Sequence, residues 1–413
     1  VRRYKVELNN EIINNLIGIK ESFELPDKLM KLLSDKETRI KLFNDFMKYD
    51  IDLSNDVFRD YFQEEHADRK GLKQDYTPDC LCQLLSKLHD KADKVLDVCS
   101  GTGSLSIFTY NTDKEAYYQC EELSSRSIPV LLFNLSIRGI NGLIIQTDIL
   151  KDKISHIYKL TNNGQFSDIE EINEIDEEKF DLVISNPPYS IAWEPKQDER
   201  FTGYELAPKS KADYAFVLDI LYRLNKSGEA FIILPHGVLF RGQAEGEIRK
   251  QLIENNLIDS VIGLPDKLFL NTSIPVLILV LKKNRTTKDI LFIDSSKNFV
   301  SQSKQNDMNE EQIDKIVDTF RNRKEIEKYS HLATYEEIVK NDYNLNIPRY
   351  VDTFEKEPLP DLKEVVLDII KIEKETKECE KELKGMLEQL EGTTPEEKEY
   401  YSKAIKPMME WLG

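Results

Sequence analysis

The stretch Asp181-Leu-Val-Ile-Ser-Asn-Pro-Pro-Tyr-Ser190 divides in the middle. Leu182, Val183 and Ile184 form a continuous, mostly β-branched apolar run, which predicts a buried strand. Pro187 and Pro188 cannot continue it, because each lacks a backbone N–H and has a fixed φ. The chain therefore leaves the sheet at Asn186 with unpaired carbonyls and the ring of Tyr189 beside them. Rigid acceptors next to an aromatic face suit a flat ring that carries an amino group. The bland alternative is a proline turn that closes an ordinary strand.

The segments upstream weigh against the bland alternative. Lys94-Val-Leu-Asp97-Val-Cys-Ser-Gly101-Thr-Gly103-Ser-Leu-Ser106 reads as a short strand, a glycine turn and a helix start. Glycines let a ligand approach the backbone closely, and a helix N-terminus offers unpaired N–H groups. Ser106 stands where the dinucleotide fingerprint G-x-G-x-x-G needs its third glycine, so an uncharged or zwitterionic ligand fits better than a pyrophosphate. The next strand, from Ala116, ends in Glu121-Glu122, where an acid can accept bonds from ribose hydroxyls. A third strand, Gly142-Leu-Ile-Ile-Gln-Thr-Asp148, again ends in an acid. The Asn186 strand is then the fourth in a series whose ends share one edge. That pattern predicts an α/β, doubly wound, mostly parallel sheet of about seven strands with its ligand at the C-terminal strand ends.

Around this centre the chain changes character. Residues 1–70 are helical and polar, with Pro26 opening one helix and residues 52–55 breaking the pattern; nothing there suggests chemistry. In Asp75-Tyr-Thr-Pro78, Thr77 is a plausible N-cap, with Pro78 at the first helical position of a helix over 79–89. A helix over 124–138 is expected to be broken or kinked near Pro129. Residues 151–179 read as a loop with one short helix at most, because apolar residues thin out after Leu160. The loop 191–211, with Trp193, Phe201 and Tyr204, is weighed as a lid over the site against an ordinary surface loop. A helix over 213–224, closed by Lys226-Ser-Gly228, leads to strands over 229–234, 258–264 and 274–281, with 265–273 a loop and 288–294 an edge strand. Beyond 301 come a helical and extended segment and Pro358-Leu-Pro360. In the last helix Val365, Ile369, Ile372, Thr376, Cys379, Leu383, Met386 and Leu390 step by four and three, a coiled-coil seam that invites a partner helix. The expected division is 1–70, 71–300, 301–360 and 361–413.

At 413 residues, 40% hydrophobic and 32% charged, the chain has the composition of a globular protein with two or three domains. A net charge of −18 argues against a stand-alone nucleic-acid binder but permits a basic groove or a partner that supplies phosphate contacts. The apolar run 274–281 is too short to span a bilayer. No charged-then-apolar leader is evident, and five cysteines, an odd number, point to a reducing cytoplasm. Neither the cysteines nor the five histidines have metal-ligand spacing, so no metal is expected, and Cys80-x-Cys82 reads as small apolar filling.

A glycine turn with two strand-end acids suits S-adenosylmethionine. Methylating an exocyclic amine requires its lone pair to be freed from the ring. The Asn186 side-chain oxygen and the Pro187 carbonyl can accept the two amino protons, while Tyr189 stacks on the ring; positioning and electrostatics carry the step. The tetrapeptide Asn186-Pro-Pro-Tyr189 resembles the catalytic motif of amino-group DNA methyltransferases, and also occurs in enzymes that act on RNA guanine or protein glutamine. Asp213-Tyr-Ala-Phe216, Leu234-Pro-His-Gly-Val-Leu-Phe-Arg241, Val261-Ile-Gly-Leu-Pro265, Ile293-Asp294 and Asn341-Asp-Tyr-Asn-Leu-Asn346 resemble the modification subunit of type I restriction-modification systems. The resemblance covers about residues 75–351. It implies a class I S-adenosylmethionine-dependent methyltransferase that methylates adenine N6 in DNA, on a base flipped from the duplex. It assigns Asn186, Pro187, Pro188 and Tyr189 to the target base. It assigns Asp97, Gly101, Thr102, Gly103 and Glu122 to the cofactor, with Thr77 near it and Asp148 near its adenine. It also implies a separate DNA specificity subunit and a second copy of the chain, and leaves an endonuclease subunit open. A solitary adenine methyltransferase, an RNA or glutamine methyltransferase, an inactive scaffold and a nicotinamide-binding protein are the rival readings.

Overall fold

The central strands are buried along nearly their whole length, and their side chains alternate between two apolar clusters, so one large sheet carries a core on each face. A computed structural model describes residues 8–59, 61–62, 77–270, 272–303, 305–353 and 361–412. Its main strands are β1 (Lys94–Val98), β2 (Tyr117–Glu122), β3 (Gly142–Asp148), β4 (Lys153–Asn162), β5 (Ser167–Ile172), β6 (Phe180–Ser185), β7 (Leu224–Pro235), β8 (Ile258–Gly263), β9 (Val276–Lys282) and β10 (Ile290–Asp294). With Ser330–Ala333 they form an eleven-stranded sheet in the order Ser330–Ala333, β10, β8, β9, β7, β6, β1, β2, β3, β4, β5. The centre is parallel: β1 pairs in parallel with both β2 and β6, and β6 with β7. β9 runs antiparallel between β7 and β8. Leu182 and Ile184 of β6 join one apolar cluster, and Val183 joins the other, as alternation along a strand requires. Leu25, Leu29, Phe43 and Phe46 of the N-terminal helices enter the first cluster, while the helices Asp213–Arg223 and Ala244–Glu254 cover the second.

The sheet exceeds the seven strands expected from sequence because both edges are extended. Residues 151–179 hold the antiparallel pair β4 and β5, where a loop was expected. Only Ile157, Tyr158 and Leu160 of β4 are buried. An edge hairpin needs few apolar residues, so composition hid it. β10 is internal, paired with β8 on one side and Ser330–Ala333 on the other. Pro129 lies in the first turn of the helix Ile128–Ile137, so it starts that helix and does not kink it. The helix Asp213–Arg223 passes straight into β7, and Gly228 lies inside that strand. A Cβ there would sit 2.7 Å from the Phe180 carbonyl oxygen, which explains the glycine. The N-cap of the helix Asp79–Leu88 is Pro78, with no side-chain cap, so Thr77 lies one residue before the cap and its hydroxyl is free for another use. Asp75, Tyr76 and the segment 358–360 lie outside the described residues.

The chain divides into two compact units, 1–353 and 354–413. The second contains the helices Leu362–Glu388 and Pro395–Trp411, neither of which has a buried residue. Of the predicted seam, Ile369, Ile372, Met386 and Leu390 are all more than half exposed. Among the described residues no helix is long and apolar enough to cross a membrane.

Candidate functional site

The strand order reverses at β1, which lies between β2 and β6. In open α/β sheets a ligand crevice forms at such a switch point. Val98 of β1 is the register partner of Ser185 of β6, and the Ser185 hydroxyl donates to the Val98 carbonyl at 2.6 Å. The glycine turn and Asn186 therefore leave the sheet side by side. Between them lies a cleft with about 1100 Å³ of empty space, counting its mouth, which is ample for a nucleoside-sized ligand. Of the residues expected at the site, Thr77, Gly101, Thr102, Glu122, Asp148, Asn186, Pro187, Pro188 and Tyr189 line it. Asp97 and Gly103 do not.

The turn is held from below. Cys99, Gly101 and Gly103 have φ of 64°, 58° and 94°. At Gly103 a Cβ would meet the Leu131 side chain at 2.7 Å, so both conformation and packing require glycine. Asp97 is fully buried under the turn, and its Oδ2 accepts from the Ser106 hydroxyl at 2.6 Å. Ser106, where the fingerprint would have its third glycine, is thus the donor to the strand-end acid. Asp97 Oδ1 has no hydrogen-bond partner, and burial pushes the carboxyl up to about 7.

Two further acids sit at the ends of β2 and β3. Glu122 accepts the Gly101 N–H at 2.9 Å and the Ser124 N–H at 2.7 Å, and burial raises its pKa. Asp148 caps the short turn Ile149–Lys151 and pairs with Lys151 at 2.8 Å. Leu105, Leu123, Ile149 and Leu150 supply apolar walls between these carboxylates. Carboxylates, aliphatic walls and a glycine turn suit a ligand with hydroxyls, a flat apolar ring and a cationic end.

At the end of β6, Asn186 Nδ2 donates to the Thr77 hydroxyl at 3.0 Å, and the Tyr189 hydroxyl donates to Asn186 Oδ1 at 2.7 Å. The amide is oriented from both sides, with Thr77 as its second partner in place of a helix cap. The Tyr189 ring meets Phe269 edge-on, with centroids 6.1 Å apart. Ser190 has φ of 49°, unusual for a residue with a Cβ, and is held there by Asp213. Its N–H donates to Asp213 Oδ1 at 2.8 Å and its hydroxyl to Oδ2 at 3.0 Å. Arg241 donates to Asp213 Oδ2 and to Glu245, both at 2.9 Å. The Tyr214 hydroxyl donates to the Val238 carbonyl at 2.9 Å, and Arg249 donates to the carbonyls of Val238, Arg241 and Tyr343. The segments 213–216, 234–241 and 341–346 thus converge behind the proline turn and brace it.

Residues 191–211 do not form a lid over the cleft. Trp193 and Phe201 are buried against each other at 5.6 Å, and Arg200 ties the loop to the Ile149 carbonyl and Asp219; Ile191 alone of the loop lines the cleft. Cys80 and Cys82 are buried, and burial pushes the Cys80 thiol up to about 12, consistent with apolar filling. Sequence reasoning missed Asp213, Arg241 and Glu245 as the brace, although two of them lie in quoted motifs. It also missed Asp56, for which the sequence carries no signal.

A model of the N-6 DNA methylase family matches residues 50–358. The chain is 33% identical over 390 residues to the methylase subunit of the type I restriction enzyme MpnII of Mycoplasma pneumoniae, covering 88% of this chain and 68% of that one. It is 31% identical over 381 residues to the MjaVII methylase subunit of Methanocaldococcus jannaschii, covering 85% of this chain and 62% of the relative. The chain therefore spans about two thirds of the length of these relatives. The crystal structure of a type I restriction-modification methyltransferase subunit from Streptococcus thermophilus superposes with a TM-score of 0.64 at 34% identity, over 83% of this chain and 74% of that chain.

Proposed function

The chain belongs to the N-6 DNA methylase family, among the methylase subunits of type I restriction enzymes, and we propose that it methylates the N6 amine of adenine in DNA with S-adenosylmethionine as donor, at sites chosen by a separate specificity subunit. The observation that most supports this is the meeting of the glycine turn and Asn186-Pro-Pro-Tyr189 at neighbouring strand ends around one cleft.

The cofactor half fits the donor molecule. Glu122 takes the ribose hydroxyls and Asp148 lies toward the adenine, while Leu105, Leu123, Ile149 and Leu150 flank the ring. Gly101 and Thr102 border the donor directly; Gly103 keeps the turn against Leu131, and buried Asp97, with its unpartnered oxygen, supports the cationic end from below. When bound, S-adenosylmethionine supplies a methyl group already activated on a sulfonium, so the chain has only to orient the acceptor.

At the acceptor half, Asn186 Oδ1 and the Pro187 carbonyl accept the two amino protons of the target. This draws the nitrogen toward tetrahedral geometry and stabilises the positive charge that develops there. Thr77 keeps Nδ2 turned away, so that Oδ1 faces the base. The oxygen has two lone pairs, and Tyr189 engages one of them. Pro187 and Pro188 keep the carbonyls out of backbone pairing, and the Tyr189 ring offers a face to the base. A base in a duplex must be flipped out to reach this recess.

The four-part division of the chain belongs to this proposal: a helical region over 1–70, the catalytic domain over 71–300, a helical and extended segment over 301–360, and a subunit-binding helix over 361–413. The uncovered seam from Ile369 to Leu390 would take a helix of the specificity subunit, and a second copy of the chain would complete the clasp on DNA. A partner that supplies the phosphate contacts also reconciles DNA as substrate with a net charge of −18. The work belongs in the cytoplasm, with the host DNA. Co-expression with a specificity subunit, followed by mapping of methylated bases, tests the proposal. N6-methyladenine at a defined sequence is expected; unmodified DNA beside methylated RNA or protein glutamine overturns it.

A further inference from the structure

Asp56 lies in the N-terminal helical region, more than forty residues before the glycine turn, yet its carboxylate is bonded to that turn. It is 8% exposed and accepts four donors. Oδ2 accepts the hydroxyls of Thr102 and, at 2.8 Å, Ser104. Oδ1 accepts Asn134 Nδ2 at 2.7 Å and the Phe58 N–H at 3.0 Å. Asn134 is fully buried, and the same nitrogen donates to the Thr102 carbonyl at 2.8 Å. Arg138, one helical turn on, donates to the carbonyls of Leu53 and Asn55 and so fixes the segment that carries Asp56.

Thr102 and Ser104 line the cleft and Asp56 does not. The carboxylate therefore grips the outer side of the turn whose inner side borders the cleft. Hydrogen bonds to a charged acceptor are about twice as strong as neutral ones, so this grip limits how far Thr102 and Ser104 can shift. We propose that Asp56 is a positioning residue for the cofactor: it sets the glycine turn in its binding geometry, and the N-terminal helical region thereby tunes cofactor affinity. This rests on the reading that the cleft holds S-adenosylmethionine. The acceptor half hangs on other residues (Thr77 and Asp213), so the effect of Asp56 is confined to the cofactor.

The test is titration of S-adenosylmethionine into the full chain, wild type and Asp56→Asn, with thermal melting in parallel and steady-state methylation in the complex with its specificity subunit. Asparagine keeps the size and one acceptor oxygen but sets its amide nitrogen against a neighbouring donor. A Kd about tenfold weaker is expected, with the KM for DNA and the kcat at saturating cofactor within about twofold of wild type. Asn134→Ala, which removes the link between Asp56 and the Thr102 carbonyl, is expected to weaken binding in the same direction. A lowered melting temperature with unchanged cofactor Kd in both variants makes Asp56 a structural tie only and overturns the inference. Equal losses in cofactor and DNA parameters overturn it as well. A wild-type chain that binds no S-adenosylmethionine overturns the cofactor reading itself, and the inference with it.

Discussion

Asp213→Ala removes the brace of the acceptor loop without replacing any residue that lines the cleft. Asp213 is 1% exposed and accepts three bonds, two from Ser190 and one from Arg241, at 2.8 to 3.0 Å. Bonds to a charged partner contribute about 1.5–3 kcal/mol each, and breaking one side of a buried ion pair costs about 3–5 kcal/mol. Arg241 retains Glu245, so the lower figure, about 3 kcal/mol of stability, is expected. Ser190 then relaxes from its φ of 49°, a conformation that disfavours a side-chain-bearing residue by about 1–2 kcal/mol. Asn186, four residues earlier, moves with it. A displacement of about 1 Å at a reacting group costs about a hundredfold in rate. Single-turnover methyl transfer in the complex with a specificity subunit should therefore fall about a hundredfold, while cofactor titration stays within about twofold. Asp213→Asn, which keeps an acceptor for the Ser190 N–H, should fall only about tenfold. A variant that folds, binds cofactor and transfers methyl at the wild-type rate would refute the reasoning, as would one that loses cofactor binding in proportion to rate.

Two other consequences are open to measurement. The Asp97 carboxyl is held up at about 7 by burial, against an ordinary value of 3.8. Between those values the unfolded chain has released the proton and the folded chain keeps it, so Asp97 makes stability fall as pH rises from about 4 to about 7, with little further change above. Asp97→Asn removes that slope, so from pH 5 to pH 8 the variant should lose roughly 3 kcal/mol less than the wild type in urea unfolding of the cofactor-free chain. Equal losses in the two proteins would show that Asp97 is not the source. Deleting residues after 360 should abolish co-purification with the specificity subunit and leave cofactor titration unchanged; intact assembly would assign the seam no role.

The centre of the fold was legible because its signals are local. A continuous apolar run, a glycine turn and acids at strand ends each follow from a few adjacent residues, and their succession determines the parallel order. The edges were not legible: β4 has only Ile157, Tyr158 and Leu160 buried, so its pairing depends on β3 beside it and leaves a weak pattern in composition. A hydroxyl before proline looks like a helix cap, but the partner of Thr77 is Asn186, 109 residues away. The aromatic loop 191–211 resembled a lid because aromatics and charges are mixed there, but Trp193 and Phe201 satisfy each other. The bracing roles of Asp213 and Asp56 were not legible for the same reason: an acid in a sequence gives no hint of which distant donors it will meet. Asp213 lies 23 residues from Ser190 and Asp56 lies 46 from Thr102.

The central claim is that Asn186 orients the adenine amine while the glycine turn and Glu122 hold the donor. It is tested most directly by transfer of an isotopically labelled methyl group from S-adenosylmethionine to DNA, for wild type and Asn186→Ala in complex with a specificity subunit, with cofactor affinity titrated on the same samples. The wild type should place label on adenine N6. The variant should show a loss of at least about a hundredfold in transfer with cofactor affinity within about twofold. Label on adenine from the variant at the wild-type rate, or loss of cofactor binding in step with transfer, would contradict the account.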